Sequence, residues 1–139
     1  MNWKLIFGLS LFGLAMAIAT VYWIPSNVEP WAWLVIFLLC AYLIAKNAPG
    51  KYFLHGFLVS LVNCIWITGA HIILSVPYLA SHPQEAAQYA KMNEMGHLSV
   101  TQAMLIFGPV IGIISGLVLG LFAFVASKVF KRSPDTTIY

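Results

Sequence analysis

The sequence alternates four long apolar stretches with short polar segments. The apolar stretches cover residues 5–24, 31–46, 52–76 and 100–129. A helix that crosses a bilayer needs about 20 apolar residues, because each residue advances the helix by about 1.5 Å. The pattern therefore predicts an all-α polytopic membrane protein, in which one transmembrane domain of residues 1–139 forms an up-down-up-down bundle of four transmembrane helices.

The longest polar segment, between the third and fourth stretches, is predicted to hold a short helix over residues 82–95. Pro83 suits the first position of a helix, and either Ser81 or His82 suits the cap before it. Gly96 suits the end of this helix. The segment carries too much charge for the hydrocarbon, so we expect it to lie at the membrane interface.

The composition identifies lipid as the main surroundings of the four stretches. Hydrophobic residues make up 61% of the chain and charged residues only 8%, whereas a soluble domain carries about 25% charged residues. The net charge is +3, and the basic residues are scattered, so no nucleic-acid-binding patch is predicted. Membrane lipid is the expected partner.

The distribution of basic residues predicts the orientation. Cytoplasmic loops are enriched in lysine and arginine, and only Lys91 among the seven basic residues lies in the second outer loop. We therefore expect a multi-pass protein of the inner (cytoplasmic) membrane with both termini cytoplasmic. The basic residues predicted to be cytoplasmic are Lys4, Lys46, Lys51, Lys128, Lys131 and Arg132.

Four glycines recur at four-residue spacing on the last stretch. They are Gly108, Gly112, Gly116 and Gly120. This spacing places them on one helix face, where another helix backbone can approach closely, as in a glycine zipper. The predicted partner is the first helix, which offers the small residues Gly13 and Ala17. The alternative is a seam between copies of the chain in a homo-oligomer.

Polar residues follow one side of the third stretch. Ser60, Asn63, Thr68 and His71 fall on a common arc at about 100° per residue, and Ser75 continues it. Polar groups inside a bilayer must face protein or water. One interpretation is hydrogen bonding between helices; the other is a polar pathway with His71 as its titratable member.

Histidines and acidic residues near the second outer loop form a candidate metal site. Glu94 and His97 lie one helical turn apart, and His71 and His82 are the other candidate ligands for zinc or another divalent metal. Short Glu-x-x-His spacings also arise by chance, so solvated interface residues are the favoured interpretation. No bound metal and no cofactor are therefore predicted.

Several function classes lack the residues they need. The middle of each stretch has no carboxylate for ion-coupled antiport, and Cys40 and Cys64 are not spaced as the reactive pair of a thiol oxidase. His55 and His71 lie on one predicted helix about 24 Å apart, too far to share a haem. No catalytic residue is recognised.

Three segments resemble an uncharacterised family of small four-helix membrane proteins found in Bacteroidota. They are KYFLHGFLVSLVN at the start of the third stretch, EAAQYAKMNEM in the second outer loop, and the glycine-rich last stretch ending in Lys-Arg. The resemblance covers a little over half of the chain. It implies the four-helix architecture but no activity.

These patterns favour a non-enzymatic integral membrane protein. It is expected to act through helix packing, through self-association, or by binding a membrane-protein partner. The alternative is a small channel or transporter for an uncharged or weakly basic solute, with Asn63, Thr68 and His71 lining its path. An enzyme for a lipid-soluble substrate, using His71 or His97, is a third hypothesis.

Overall fold

The fold is all-α, as the sequence predicts. The computed structural model describes residues 1–130, so Lys131 and Arg132, two of the basic residues used to predict orientation, lie outside the described residues. The described chain forms six helices: α1 Trp3–Tyr22, α2 Glu29–Asn47, α3 Tyr52–Ile73, α4 Ser75–Ser81, α5 Pro83–Gly96 and α6 Val100–Val129.

Four of these helices are long and apolar enough to cross a membrane. They are α1, α2, α3 and α6, with 20, 19, 22 and 30 residues. At about 1.5 Å per residue, 20 residues span about 30 Å, the thickness of the hydrocarbon core. The chain therefore has the composition and helix lengths of a multi-pass membrane protein.

Local capping fixes where several helices begin. The Asn2 side chain accepts a hydrogen bond from the Leu5 amide at 3.1 Å at the start of α1. Ser99 and Gln102 bond each other's backbone amides at the start of α6, which satisfies two N–H groups that the helix leaves unpaired. α2 begins at Glu29, two residues before the predicted start, because Pro30 suits a first turn.

The third helix ends earlier than the predicted residue 76. α3 stops at Ile73, and Ser75, expected to continue its polar arc, instead begins the separate helix α4. Pro77, one residue beyond the predicted end of the stretch, lies in the first turn of α4. A proline is tolerated there because the first backbone N–H groups of a helix have no intrahelical acceptor.

The polar loop helix α5 covers Pro83–Gly96, close to the predicted 82–95. The His82 side chain makes no capping hydrogen bond before it, and His97 follows its last residue in the left-handed conformation with φ of 52°. The helix therefore ends at Gly96, as predicted, and His97 takes the left-handed cap position. None of its residues is buried.

Helix α3 is the centre of the packing. It packs against α6 and α1, and α6 also packs against α2. A Cβ atom added at Gly112 would lie 2.7 Å from the Cys64 Cβ, and one added at Gly116 would lie 2.8 Å from the Phe57 ring. These approaches are too close for any side chain, so the glycine face of α6 is in contact with α3.

The predicted pairing of that face with α1 is therefore wrong. The glycine face of α6 also contacts α3 at its two ends, because Gly108 meets Thr68 and Gly120 meets Phe53. The first-helix residue Gly13 instead faces Asn63 of α3, where an added Cβ would lie 2.5 Å from the amide carbon. Ala17 is buried on the same helix. Matching small residues with small residues misidentified the partner, since cysteine, threonine and flat phenylalanine rings also fit against glycine.

The bundle divides into two halves along the helix axes. The core half contains a continuous cluster of buried apolar side chains from all four long helices. Its members are Ile6, Leu9, Cys40, Ala41, Ile44, Ala48, Val59, Leu119 and Ala123. The cavity half is the other part of the bundle, where α4 and α5 lie.

Candidate ligand-binding site

A cavity of about 460 Å³ opens in the cavity half. Its walls come from residues 29–37 of α2, 60–71 of α3 and 104–118 of α6, with one tyrosine each from α4 and α5. The lining residues include Glu29, Trp33, Phe37, Ser60, Asn63, Cys64, Ile67, Thr68, His71, Tyr78, Tyr89, Phe107, Ile111, Ile114, Ser115 and Val118.

All four residues of the predicted polar pathway line this cavity. Ser60, Asn63, Thr68 and His71 occupy successive levels of α3. From Ser60 to His71 the helix advances by about 17 Å, so the cavity is elongated along the helix axes. The sequence pattern therefore located one wall of the cavity.

The cavity ends where the core half begins. The last lining residues on α2, α3 and α6 are Phe37, Ser60 and Val118. The next residues toward the core half are Cys40, Val59 and Leu119, and each has 0% exposure. The cavity is consequently blind at this end.

Three rings form a stack beside the end of the cavity nearest α4 and α5, which we call the wide end. The Tyr78 ring lies between His71, at 4.1 Å, and His82, at 4.5 Å, between ring centroids. Thr20 donates its hydroxyl hydrogen to the Ala17 carbonyl, so its oxygen accepts from His71 Nε2 at 3.1 Å. These contacts join α1, α3 and α4 and hold the His71 ring in place.

Glu29 and His82 meet at the edge of this stack. The His82 Nδ1 atom donates to the Tyr78 carbonyl at 3.0 Å, and its Nε2 atom is 3.9 Å from Glu29 Oε2. That separation is too long for a hydrogen bond, and His82 Nε2 is buried without a partner. The other carboxylate oxygen of Glu29 accepts from Trp33 Nε1 at 3.2 Å.

Tyr78 and Tyr89 also line the wide end, and Glu85 lies near both without lining the cavity. Burial, with the nearby charges of Glu29 and Glu85, raises the pKa of the Tyr78 phenol, and burial and Glu85 raise that of Tyr89. Both phenols are therefore neutral near pH 7. Ser26 donates to Glu85 at 2.8 Å, which links α5 to the turn between α1 and α2.

Asn63 is the polar residue nearest the middle of the bundle. Its side chain is buried against Gly13 of α1, and neither its amide nitrogen nor its amide oxygen has a hydrogen-bond partner. An unpaired buried polar group costs about 1–3 kcal/mol. The interpretation of Asn63 as a residue that bonds helices together is therefore not met by the contacts of this structure.

Sequence reasoning missed the half of the site that does not belong to α3. Glu29, Trp33, Tyr78 and Tyr89 come from three different helices. Glu29 and Trp33 carried a signal, because a glutamate and a tryptophan four residues apart share a helix face. Nothing in the sequence indicated that the α4 and α5 tyrosines join them.

The candidate metal ligands are spread over the cavity half. Among residues 1–130, no three or more His, Cys, Asp or Glu side chains are grouped so that they could hold a metal ion. His71 and His82 lie on opposite faces of Tyr78. Glu94 and His97 are exposed at the end of α5.

Comparisons with protein-family models, with curated proteins and with solved structures find no match. The resemblance to the Bacteroidota family therefore stays a prediction.

Proposed function

We propose that this chain is a membrane protein that binds an uncharged or weakly basic, largely apolar small molecule in the cavity between α2, α3 and α6. The observation that carries the proposal is the cavity of about 460 Å³ lined by all four residues of the polar arc. Ligand pockets have volumes of about 300–1,000 Å³ and combine apolar walls with a few polar groups.

The blind end of the cavity favours binding over free passage. An open channel needs a continuous path, whereas Cys40, Val59 and Leu119 fill the space beyond the cavity with no exposed surface. A transporter would have to rearrange this core half in order to release a solute on the other side. Binding from one side requires no such rearrangement.

Self-association through the glycine face has less support than ligand binding. Gly108, Gly112, Gly116 and Gly120 all approach α3 of the same chain. A homo-oligomer seam on that face would first have to displace α3. A membrane-protein partner would therefore bind elsewhere, on the apolar outer faces of the long helices.

The proposed membrane arrangement follows from charge. The four long helices cross the inner membrane in up-down-up-down order with both termini cytoplasmic, because Lys4, Lys46, Lys51 and Lys128 lie near the ends in the core half. The cavity then opens toward the outer face, where α5 lies at the interface. Labelling of single cysteines introduced at Asn2 and at Lys91 tests this: a reagent confined to the outside should reach only the second.

Two serines on α6 provide a matched test of ligand binding. Ser115 lines the cavity and donates to the Ile111 carbonyl, whereas Ser127 donates to the Phe124 carbonyl in the core half. A tryptophan at Ser115 fills the cavity, and a tryptophan at Ser127 does not. In lipid nanodiscs, Ser115→Trp should abolish saturable binding of radiolabelled dodecanol, and Ser127→Trp should retain it. Absence of saturable binding above empty nanodiscs would refute the proposal.

A further inference from the structure

We propose that the ligand of this cavity is a single-chain amphiphile with an amine head group. The amine lies beside Glu29 at the wide end, and the alkyl chain extends along α3 and α6 toward the blind end. This inference rests on the proposed function and narrows it to one chemical class.

The charge at the wide end selects a cation. Glu29 is the only Asp, Glu, Lys or Arg residue that lines the cavity within residues 1–130. One of its oxygens accepts from Trp33, and the other lies beyond hydrogen-bond distance from His82. Glu29 is partly buried, and a partly buried carboxylate is stabilised by an opposite charge that also donates hydrogen bonds. A protonated amine supplies both.

The aromatic residues around Glu29 favour the same head group. An ammonium group is attracted to the face of a tryptophan or tyrosine ring. Both faces of Tyr78 are covered by His71 and His82, so the Tyr78 ring cannot take this role. Trp33 and Tyr89, which also line the wide end, are the rings that can contact the amine.

The deeper wall fits an alkyl chain. Beyond the polar wide end, the α2 wall is apolar, and the α6 wall is apolar apart from Ser115, whose hydroxyl donates to the Ile111 carbonyl of its own helix. The cavity runs for about 17 Å along α3. The apolar residues of this part are Phe37, Ile67, Phe107, Ile111, Ile114 and Val118. A fatty acid or a phospholipid would bring an anionic head group to Glu29, where no lysine or arginine side chain of residues 1–130 lines the cavity to neutralise it.

Three dodecyl probes with the same tail test this class. Radiolabelled dodecylamine, dodecanol and dodecanoate are equilibrated separately with the full chain in phosphatidylcholine nanodiscs, and binding to empty nanodiscs is subtracted. We expect dodecylamine to bind about tenfold more tightly than dodecanol, because its ammonium group forms a charge-assisted hydrogen bond with Glu29. Dodecanoate should bind most weakly.

Glu29→Gln isolates the carboxylate, because glutamine keeps the acceptor for Trp33 and the side-chain shape. It should weaken dodecylamine binding about tenfold and dodecanol binding by a smaller factor, because a hydroxyl carries no charge for the carboxylate to pair with. Glu94→Gln is the matched control, because Glu94 is exposed at the far end of α5. It should bind both probes as the unchanged protein does.

The outcomes separate the two proposals. Equal binding of amine and alcohol, or an unchanged amine affinity in Glu29→Gln, overturns the amine head group while the proposed function stands. Tightest binding of dodecanoate overturns both the amine head group and the proposed preference for an uncharged or weakly basic ligand. Saturable binding of none of the probes overturns both. If Glu29→Gln does not fold, the order of the three probes on the unchanged protein still decides the question.

Discussion

The two halves of the bundle treat buried polar groups differently. In the core half, His55 donates from Nδ1 to the Lys51 carbonyl and accepts at Nε2 from the Asn2 amide, each at 3.0 Å. In the cavity half, the buried His82 leaves Nε2 unpaired near Glu29. Both rings have almost no exposure, so burial alone does not explain the difference.

This contrast is the one expected between a polar group that holds the fold together and one beside a ligand site. Lipid offers no hydrogen bonds, so a polar group within a membrane bundle is expected to find its partner inside the protein. His55 does so and fastens the start of α1 to the start of α3. The unpaired His82 Nε2 lies near the partly paired Glu29, which lines the cavity. This arrangement agrees with the proposal that a ligand completes the site.

The largest loss of stability should come from disrupting the contact between α3 and α6, which runs through both halves of the bundle. Replacing both Gly112 and Gly116 by leucine would force α6 away from Cys64 and Phe57 of α3. We expect loss of the folded bundle, because each overpacked position costs about 1–3 kcal/mol. Thermal unfolding in nanodiscs measures this. Gly8→Leu is the control, since nothing lies within 4 Å of an added Cβ there. A double variant that still folds would contradict the close packing of Gly112 and Gly116 on α3.

A smaller effect should distinguish the two halves of the α3–α6 contact. An added Cβ at Gly56, in the core half, would lie 2.6 Å from the Leu119 carbonyl oxygen, which is backbone. At Gly108, in the cavity half, it would meet the Thr68 side chain, which can rotate. We expect Gly56→Ala to lower the free energy of unfolding by about 1–3 kcal/mol and Gly108→Ala by less. Gly69→Ala, in open space on α3, should leave the free energy of unfolding nearly unchanged. Equal losses of unfolding free energy at Gly56 and Gly108 would mean that the two halves of the α3–α6 contact do not differ in this respect.

The two histidines should differ when each is replaced by phenylalanine. His55→Phe leaves the Asn2 amide without its acceptor and should cost about 1–3 kcal/mol. His82→Phe loses the bond to the Tyr78 carbonyl, which Ser81 also contacts, but removes an unpaired buried nitrogen. Its unfolding free energy should change by less than about 1 kcal/mol. A larger loss for His82→Phe would mean that its Nε2 is paired with Glu29 in the membrane.

The sequence predicted the features that lipid imposes on a chain. Apolar length identified the four long helices, and glycine spacing identified the face of α6 that packs closely, because both depend only on positions within one helix. The polar arc identified Ser60, Asn63, Thr68 and His71 for the same reason. These residues lie along a single cavity wall.

What depends on contacts between helices was not predictable. The glycine face packs on α3 instead of α1, since more than one helix offers a surface that fits against glycine. The break at Leu74 brings Tyr78 between two histidines. Glu29 then joins them from a helix start nearly fifty residues earlier in the chain, which no local pattern reveals.

The smallest expected effect concerns the link between α5 and the rest of the cavity half. Ser26→Ala removes the 2.8 Å hydrogen bond to Glu85, while α5 has no buried residue to hold it in place. Loss of this partly exposed bond should cost about 0.5–1 kcal/mol, which increases local opening of α5 about threefold. Global unfolding should be unchanged.

The two cysteines report this opening, because each half of the bundle contains one. Cys64 lines the cavity, whereas Cys40 has 0% exposure in the core half. A water-soluble thiol reagent should modify Cys64 about threefold faster in Ser26→Ala than in the unchanged protein, in proportion to the opening. Cys40 should stay unmodified in both, as single-cysteine variants with Cys40→Ala or Cys64→Ala can verify. Modification of Cys40 at the rate of Cys64 would show that the core half is as open as the cavity half. The conclusion that the cavity is closed at its core end would then be wrong.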